Sequence, residues 1–121
     1  MCDSDTTVDE LKQAVAAFSA AREWEPFHSL KNLAMSIAIE SGELMERFQW
    51  IEGSNSLESL EDERQRQAVE EELADVAIYA LQFANRSGID LSAAIRRKME
   101  LNEQKYPVER SRGSSRKYDA S

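Results

Sequence analysis

Two short stretches carry residues whose types and spacing suit chemistry. Glu40-Ser41-Gly42-Glu43 and Glu72-Leu73-Ala74-Asp75 each hold two carboxylates three positions apart. On an α-helix that spacing sets both on one face. Four carboxylates from two packed helices make a hard, oxygen-rich site suited to Mg²⁺ or Mn²⁺. Like charges that close repel, and a cation between them removes the repulsion. Glutamates at this spacing are also common on solvated helix faces. These two pairs differ in that each flanks the apolar stripe of a long helix. His28 is the sole histidine and stands in neither pair. The Glu-x-x-His pairs of a di-iron bundle are therefore missing, and oxygen ligands favour Mg²⁺ over iron or zinc. No glycine-rich phosphate loop is present, and Cys2 in a polar terminus is a poor nucleophile.

Two further groups have a bland and a sharp reading. Trp24-Glu25-Pro26-Phe27-His28 is either a hydrophobic plug between helices or a wall for a flat ligand such as a nucleobase. Lys98 and Asn102, four residues apart, either share one site or leave Lys98 as a snorkelling surface lysine.

The elements that must position these groups are helices. Thr7 and Glu10 have capping-box spacing, and Leu11, Val15 and Phe18 then form an amphipathic stripe. Pro26 limits this first helix to about residues 22–25. A second helix is expected from Ser29 to Trp50 or Ile51, with Leu30, Leu33, Ala34, Ile37, Leu44 and Phe48 on one face. Glu40 and Glu43 sit at that face's rim, and Glu46 opposite it. Gly42 between them costs about 1 kcal/mol relative to Ala, which either close approach by another backbone or a ligand, or room for a neighbouring helix, would explain. A polar connector over 52–60 is long enough to be mobile. A third helix is expected over 61–86, with Val69, Leu73, Val76, Ala80 and Phe83 buried. Glu72, Asp75 and Tyr79 line the adjoining stripe. Glu70 and Glu71 read as surface charges. Gly88 suits a left-handed helix end, and Asp90 or Ser92 caps a fourth helix running to Lys105. Met45, Ile78 and Leu81 fall outside any narrow stripe, which points to a subunit interface.

The whole is read as an all-α protein with four main helices. One domain is expected over 1–107, and a polar, unstructured tail over 108–121. At 121 residues with a net charge of −8, the chain is unsuited to electrostatic binding of nucleic acid or anionic membrane. No apolar run has the length of a membrane span or the form of a signal peptide. One cysteine allows no internal disulfide, so a reducing cytoplasmic location is expected.

Taken together, these motifs resemble the MazG-like superfamily of all-α nucleoside triphosphate pyrophosphohydrolases, with the nearest likeness to its dCTP pyrophosphatase branch. The matching stretches are residues 22–28, Glu40-Ser41-Gly42-Glu43-Leu44 with Phe48-Gln49-Trp50, and Glu71-Glu72-Leu73-Ala74-Asp75-Val76 with Tyr79. They end at Lys98-Met99, Asn102 and Tyr106-Pro107, so the likeness runs from about Leu11 to Pro107. Ile39 departs from the pattern, because many relatives carry a further glutamate there, which bears on the number of metal ions. The resemblance implies a protomer that pairs with others, as a homodimer or homotetramer, to complete a helical bundle. It implies hydrolysis of a nucleoside triphosphate to the monophosphate and pyrophosphate. Glu40, Glu43, Glu72 and Asp75 would hold Mg²⁺, with Mn²⁺ as substitute, and one of them, Glu43 being a candidate, would act as general base. Lys98, Asn102 and Tyr106 would bind phosphate. Trp24, Phe27, His28, Trp50 and Tyr79 would surround base and sugar. The expected substrate is dCTP or a modified pyrimidine deoxynucleotide. The alternatives are a dUTP or broad-specificity pyrophosphatase of the same superfamily and, from another class, a non-catalytic helical interaction module.

Overall fold

The computed structural model describes residues 1–113, and among these the regular structure is helical with no strand. The chain forms two compact units, Met1–Gly88 and Ile89–Ser121.

In the first unit, α1 spans Val8–Ala21, α2 Leu30–Glu46 and α3 Glu63–Ser87. Local chemistry sets most of their ends. Thr7 and Glu10 form the expected reciprocal capping box at the start of α1. Ser29 accepts from the Asn32 N–H at 3.1 Å and opens α2. Gly88 closes α3 at φ 74°, a conformation that costs a residue without Cβ little. After α1 the chain reverses at Glu23, whose φ of 53° is the left-handed region. That conformation costs a side-chain-bearing residue about 1–2 kcal/mol. The reversal brings the Trp24 N–H back to the Ser19 carbonyl at 3.1 Å. Trp24 then meets Phe18 edge-on, with ring centroids 5.7 Å apart. Pro26 sits inside a short 3-10 turn, Glu25–Phe27.

Two boundaries differ from expectation. α2 stops at Glu46 rather than Trp50. From Arg47 onward the N–H groups bond three residues back, Arg47 to Leu44 O, Phe48 to Met45 O and Gln49 to Glu46 O. Gln65 on α3 ties this turn down: its amide donates to the Arg47 carbonyl at 2.7 Å, while Arg47 Nη2 donates to Gln65 Oε1 at 2.8 Å. The Arg47 carbonyl is thus taken from the helix ladder, and Ile51 N–H turns to Phe48 O instead. α3 starts at Glu63, because Asp62 is extended and caps Arg64 N–H. The connector before it holds two 3-10 turns, Gly53–Asn55 and Glu58–Glu61.

α3 packs against both α1 and α2. The fully enclosed apolar core is small: Leu33, Leu81 and Ala84. Leu81, expected at an interface, is buried. Leu73, expected inside, is 56% exposed, as Met45 and Ile78 also are to large degrees. The polar residues Ser19, Gln65 and Gln82 are buried alongside.

In the second unit, α4 spans Leu91–Lys105, capped by Asp90, which accepts from Ala93 N–H at 2.9 Å. The expected irregular tail instead begins with one helical turn, α5, Val108–Ser111, with Pro107 at its N-cap, where a missing N–H costs nothing. The rest of that expected tail, 114–121, lies outside the described residues.

Candidate active site

The two acidic pairs converge. Glu40 and Glu43 on α2 and Glu72 on α3 each offer an oxygen, and these lie within 4.8 Å of one another. Glu40 and Glu72 are half-buried, and Glu43 is exposed between them. One oxygen of Glu40 and one of Glu72 are sealed from solvent without any hydrogen-bond partner. A buried, unpartnered carboxylate oxygen is costly, because no water or donor replaces its lost hydration.

Burial and mutual repulsion therefore make Glu40 and Glu72 weaker acids than an ordinary carboxyl. Glu40 is pushed up to about 7, first by its hydrogen bond to Glu43, then by burial and the charges of Glu43, Asp75 and Glu72. Glu72 is raised by burial, by its hydrogen bond to Glu43 and by the charges of Glu43 and Asp75, with Arg47 opposing. Asp75 stands outside the tight triad but near enough to act on both acids. A divalent cation fits this donor set: it would partner the orphaned oxygens and remove the like-charge repulsion.

One cavity adjoins the triad and a second adjoins Asp75. A polar one of about 550 Å³ is lined by Glu43, Glu46, Arg47, Gln49, Trp50 and Glu72. Trp50 is 89% exposed at its edge. Glu46, expected on the opposite face, lines this cavity, because it follows Glu43 by three positions on α2 and so shares its side of the helix. The second cavity, about 350 Å³, is mostly apolar. Phe18, Trp24, Ile78 and Tyr79 line it, and Asp75 and Gln82 bring it polar groups. Asp75 thus belongs to both the acidic cluster and the aromatic wall.

The other expected ligands are distributed differently. His28 touches Trp24 edge-on at 6.4 Å but lines a third cavity with Ser19, Gln82, Asn85 and Arg86. Phe27 is 69% exposed, and its carbonyl accepts from Asn32. Lys98 and Asn102 lie on α4 and Tyr106 at its C-cap, in the Ile89–Ser121 unit, with Tyr106 N–H donating to Asn102 O at 2.7 Å. Sequence reasoning missed Phe18, taken for core, and also Arg47 and Gln82. A glutamine between Leu81 and Phe83 in a buried run was the available signal for the last.

A family model described as MazG-like matches residues 35–120. The chain is 40% identical over 114 residues to dCTP pyrophosphatase 1 of Rattus norvegicus, covering 94% of this chain and 67% of that protein. The human dCTP pyrophosphatase 1 matches to the same extent. A crystal structure of a pyrophosphatase from Archaeoglobus fulgidus superposes with a TM-score of 0.77 at 42% identity, covering 88% of this chain and 98% of the other. With its paired carboxylates on two packed helices and these relatives over most of its length, the chain belongs to the MazG-like family.

Proposed function

We propose that this protein is a metal-dependent nucleoside triphosphate pyrophosphohydrolase that converts dCTP, or a modified pyrimidine deoxynucleotide, to the monophosphate and pyrophosphate. The observation that carries this reading is the triad Glu40, Glu43 and Glu72, with two orphaned oxygens, joined through Asp75 to an aromatic cavity. The names of the relatives supply the substrate class.

Glu40, Glu43, Glu72 and Asp75 would hold Mg²⁺ or Mn²⁺. Bound there, such an ion neutralises phosphate charge and acidifies a water. The chain's own residues do the rest. Trp24, Phe18 and Tyr79 offer apolar faces to the base, and Trp50 extends the wall beside the acids. His28, edge-on to Trp24, and the exposed Phe27 are proposed to complete the surroundings of base and sugar. Glu43, the most open of the triad, accepts the proton of the attacking water. Lys98, Asn102 and Tyr106 are the proposed phosphate ligands, Lys98 as a point charge. A net charge of −8 keeps polyanions away unless cations intervene, which argues against nucleic acid as partner.

The protomer would act as a homo-oligomer. Three buried apolar side chains are a small core for a chain of this length, and Met35, Ile39, Met45 and Leu73 are each more than half exposed. Among the described residues no helix is long and apolar enough to cross a membrane, and one exposed thiol, Cys2, fits a reducing compartment such as the cytoplasm.

The test is hydrolysis of dCTP in ¹⁸O-labelled water. Label in the monophosphate, with pyrophosphate as co-product, supports attack at the α-phosphorus. Direct release of orthophosphate, or full activity in excess EDTA, refutes it. An interaction module with merely solvated acids would show no stabilisation by Mg²⁺ in thermal denaturation.

A further inference from the structure

We propose that Gln82 reads the base in the aromatic cavity and that Ser19 fixes which edge of its amide faces the ligand. This rests on the hydrolase reading above and names its specificity-determining residue. Asp75, Tyr79 and Gln82 follow one another at i, i+4 and i+7 on α3 and line the cavity together. Gln82 is 7% exposed and Ser19 3% exposed. Polar groups that deeply buried are nearly always fully hydrogen-bonded. Ser19 Oγ donates to Gln82 Oε1 at 3.0 Å. Among the described residues this is the sole hydrogen bond of the Gln82 side chain. Yet the sealed, unpartnered side-chain atoms are those of Glu40 and Glu72, not Gln82 Nε2. The amide nitrogen is therefore not a sealed orphan, and Gln82 has cavities beside it. Gln82 lines two, the aromatic one and the one shared with His28 and Arg86. Ser19 lines the second but not the first, and the oxygen it holds is accordingly assigned to that side and the nitrogen to the aromatic cavity.

A pinned amide nitrogen donates and cannot accept. Cytosine presents two neighbouring acceptors, N3 and O2. Uracil and thymine place an N3–H donor beside O2, which meets the Gln82 donor badly. A site built to donate to N3 therefore selects cytosine, and Ser19 acts as the positioning residue that prevents the amide from turning over.

The experiment compares kcat/KM for dCTP and dUTP in wild type, Ser19→Ala, Gln82→Leu and the Ser19→Ala/Gln82→Leu double variant. Wild type should favour dCTP by about tenfold or more, the scale of one well-placed hydrogen bond to a base. Gln82→Leu should bring the ratio to within about threefold of unity. Ser19→Ala should lower it partly, with dUTP gaining as the amide carbonyl becomes free to accept from N3–H. Gln82→Leu alone leaves a buried hydroxyl unpartnered, whereas the double variant removes both polar groups and should keep the thermal stability of wild type. A folded double variant with an unchanged dCTP/dUTP ratio overturns the assignment. So does a wild type without preference, which leaves the hydrolase reading standing. Absence of pyrophosphate release from either nucleotide overturns the hydrolase reading and the Gln82 assignment with it.

Discussion

Metal binding should depend on pH in a way set by Glu40. Its carboxyl is held at about 7 in the metal-free protein, against an ordinary value of 4.5. A cation bound by Glu40 must displace that proton, so the apparent dissociation constant scales with 1 + 10^(pKa − pH). The factor is about eleven at pH 6 and about one at pH 8, so affinity should improve roughly tenfold across this range. Glu72, also raised, acts in the same direction. At pH 7, binding should release about half a proton from Glu40 alone. Isothermal calorimetry with Mg²⁺ or Mn²⁺ in two buffers of different ionisation enthalpy reads both quantities. Trp50, lining the cavity with Glu43 and Glu72, provides a fluorescence check. Folding follows the same sign. The folded state binds this proton more tightly than the unfolded chain does. The stability it contributes is present below pH 4.5 and is lost as pH rises to about 7. In EDTA, the wild-type melting temperature should therefore fall from pH 5 to pH 7.5 relative to that of Glu40→Gln. The variant should also bind metal more weakly and with a flatter pH profile. A metal affinity equal at pH 6 and pH 8, or a Glu40→Gln protein with the wild-type pH profile, refutes the reasoning.

The remaining expectations concern single side chains. Glu43→Gln, Glu72→Gln and Asp75→Asn keep shape but remove charge, and each should cut turnover about a hundredfold or more. Glu71→Gln, exposed and bonded only to Gln67 Nε2, should match wild type; equal losses in all four would refute the cluster. Trp50→Ala should raise KM while leaving thermal stability within about 0.5 kcal/mol, because the side chain is 89% exposed; a stability loss with unchanged kinetics would make it a packing residue. Leu33→Ala should cost about 2–5 kcal/mol in denaturant unfolding, since Leu33 is 1% exposed in a core with few partners to absorb a cavity; a near-neutral result would refute its central place.

Features decided within a few residues could be read from the sequence, and features decided across the fold could not. Thr7 with Glu10, Gly88 and Asp90 set helix ends by local hydrogen bonds or backbone conformation, and each stands where the chain order predicts. The acidic pairs were legible for the same reason, because spacing on a helix fixes a shared face. The turn that follows α2 is tied to Gln65, eighteen residues beyond Arg47, and nothing near Glu46 announces it. Glu46 lines the acidic cavity because it stands three positions after Glu43 on the same helix, a spacing that the apolar stripe alone did not weigh. Periodicity likewise ranked apolar residues by stripe, but a helix with two partners buries more than one stripe. α3 meets both α1 and α2, which is why Leu81 went inside while Leu73 stayed open.

Phe18 and Gln82 show the limit most sharply. By pattern, Phe18 is one more apolar residue on the inner face of α1. Its role depends on the left-handed turn at Glu23, which folds Trp24 back upon it and leaves a cavity rather than a filled core. Gln82 lies one turn beyond Tyr79 on the same helix face, where an apolar residue would pack without cost. A polar residue tolerated there, with its oxygen taken by Ser19 and its nitrogen left to the cavity, signals a ligand better than any aromatic does. Aromatic residues are stable in a core with nothing bound, whereas an amide donor that no protein group accepts from gains from a ligand that does.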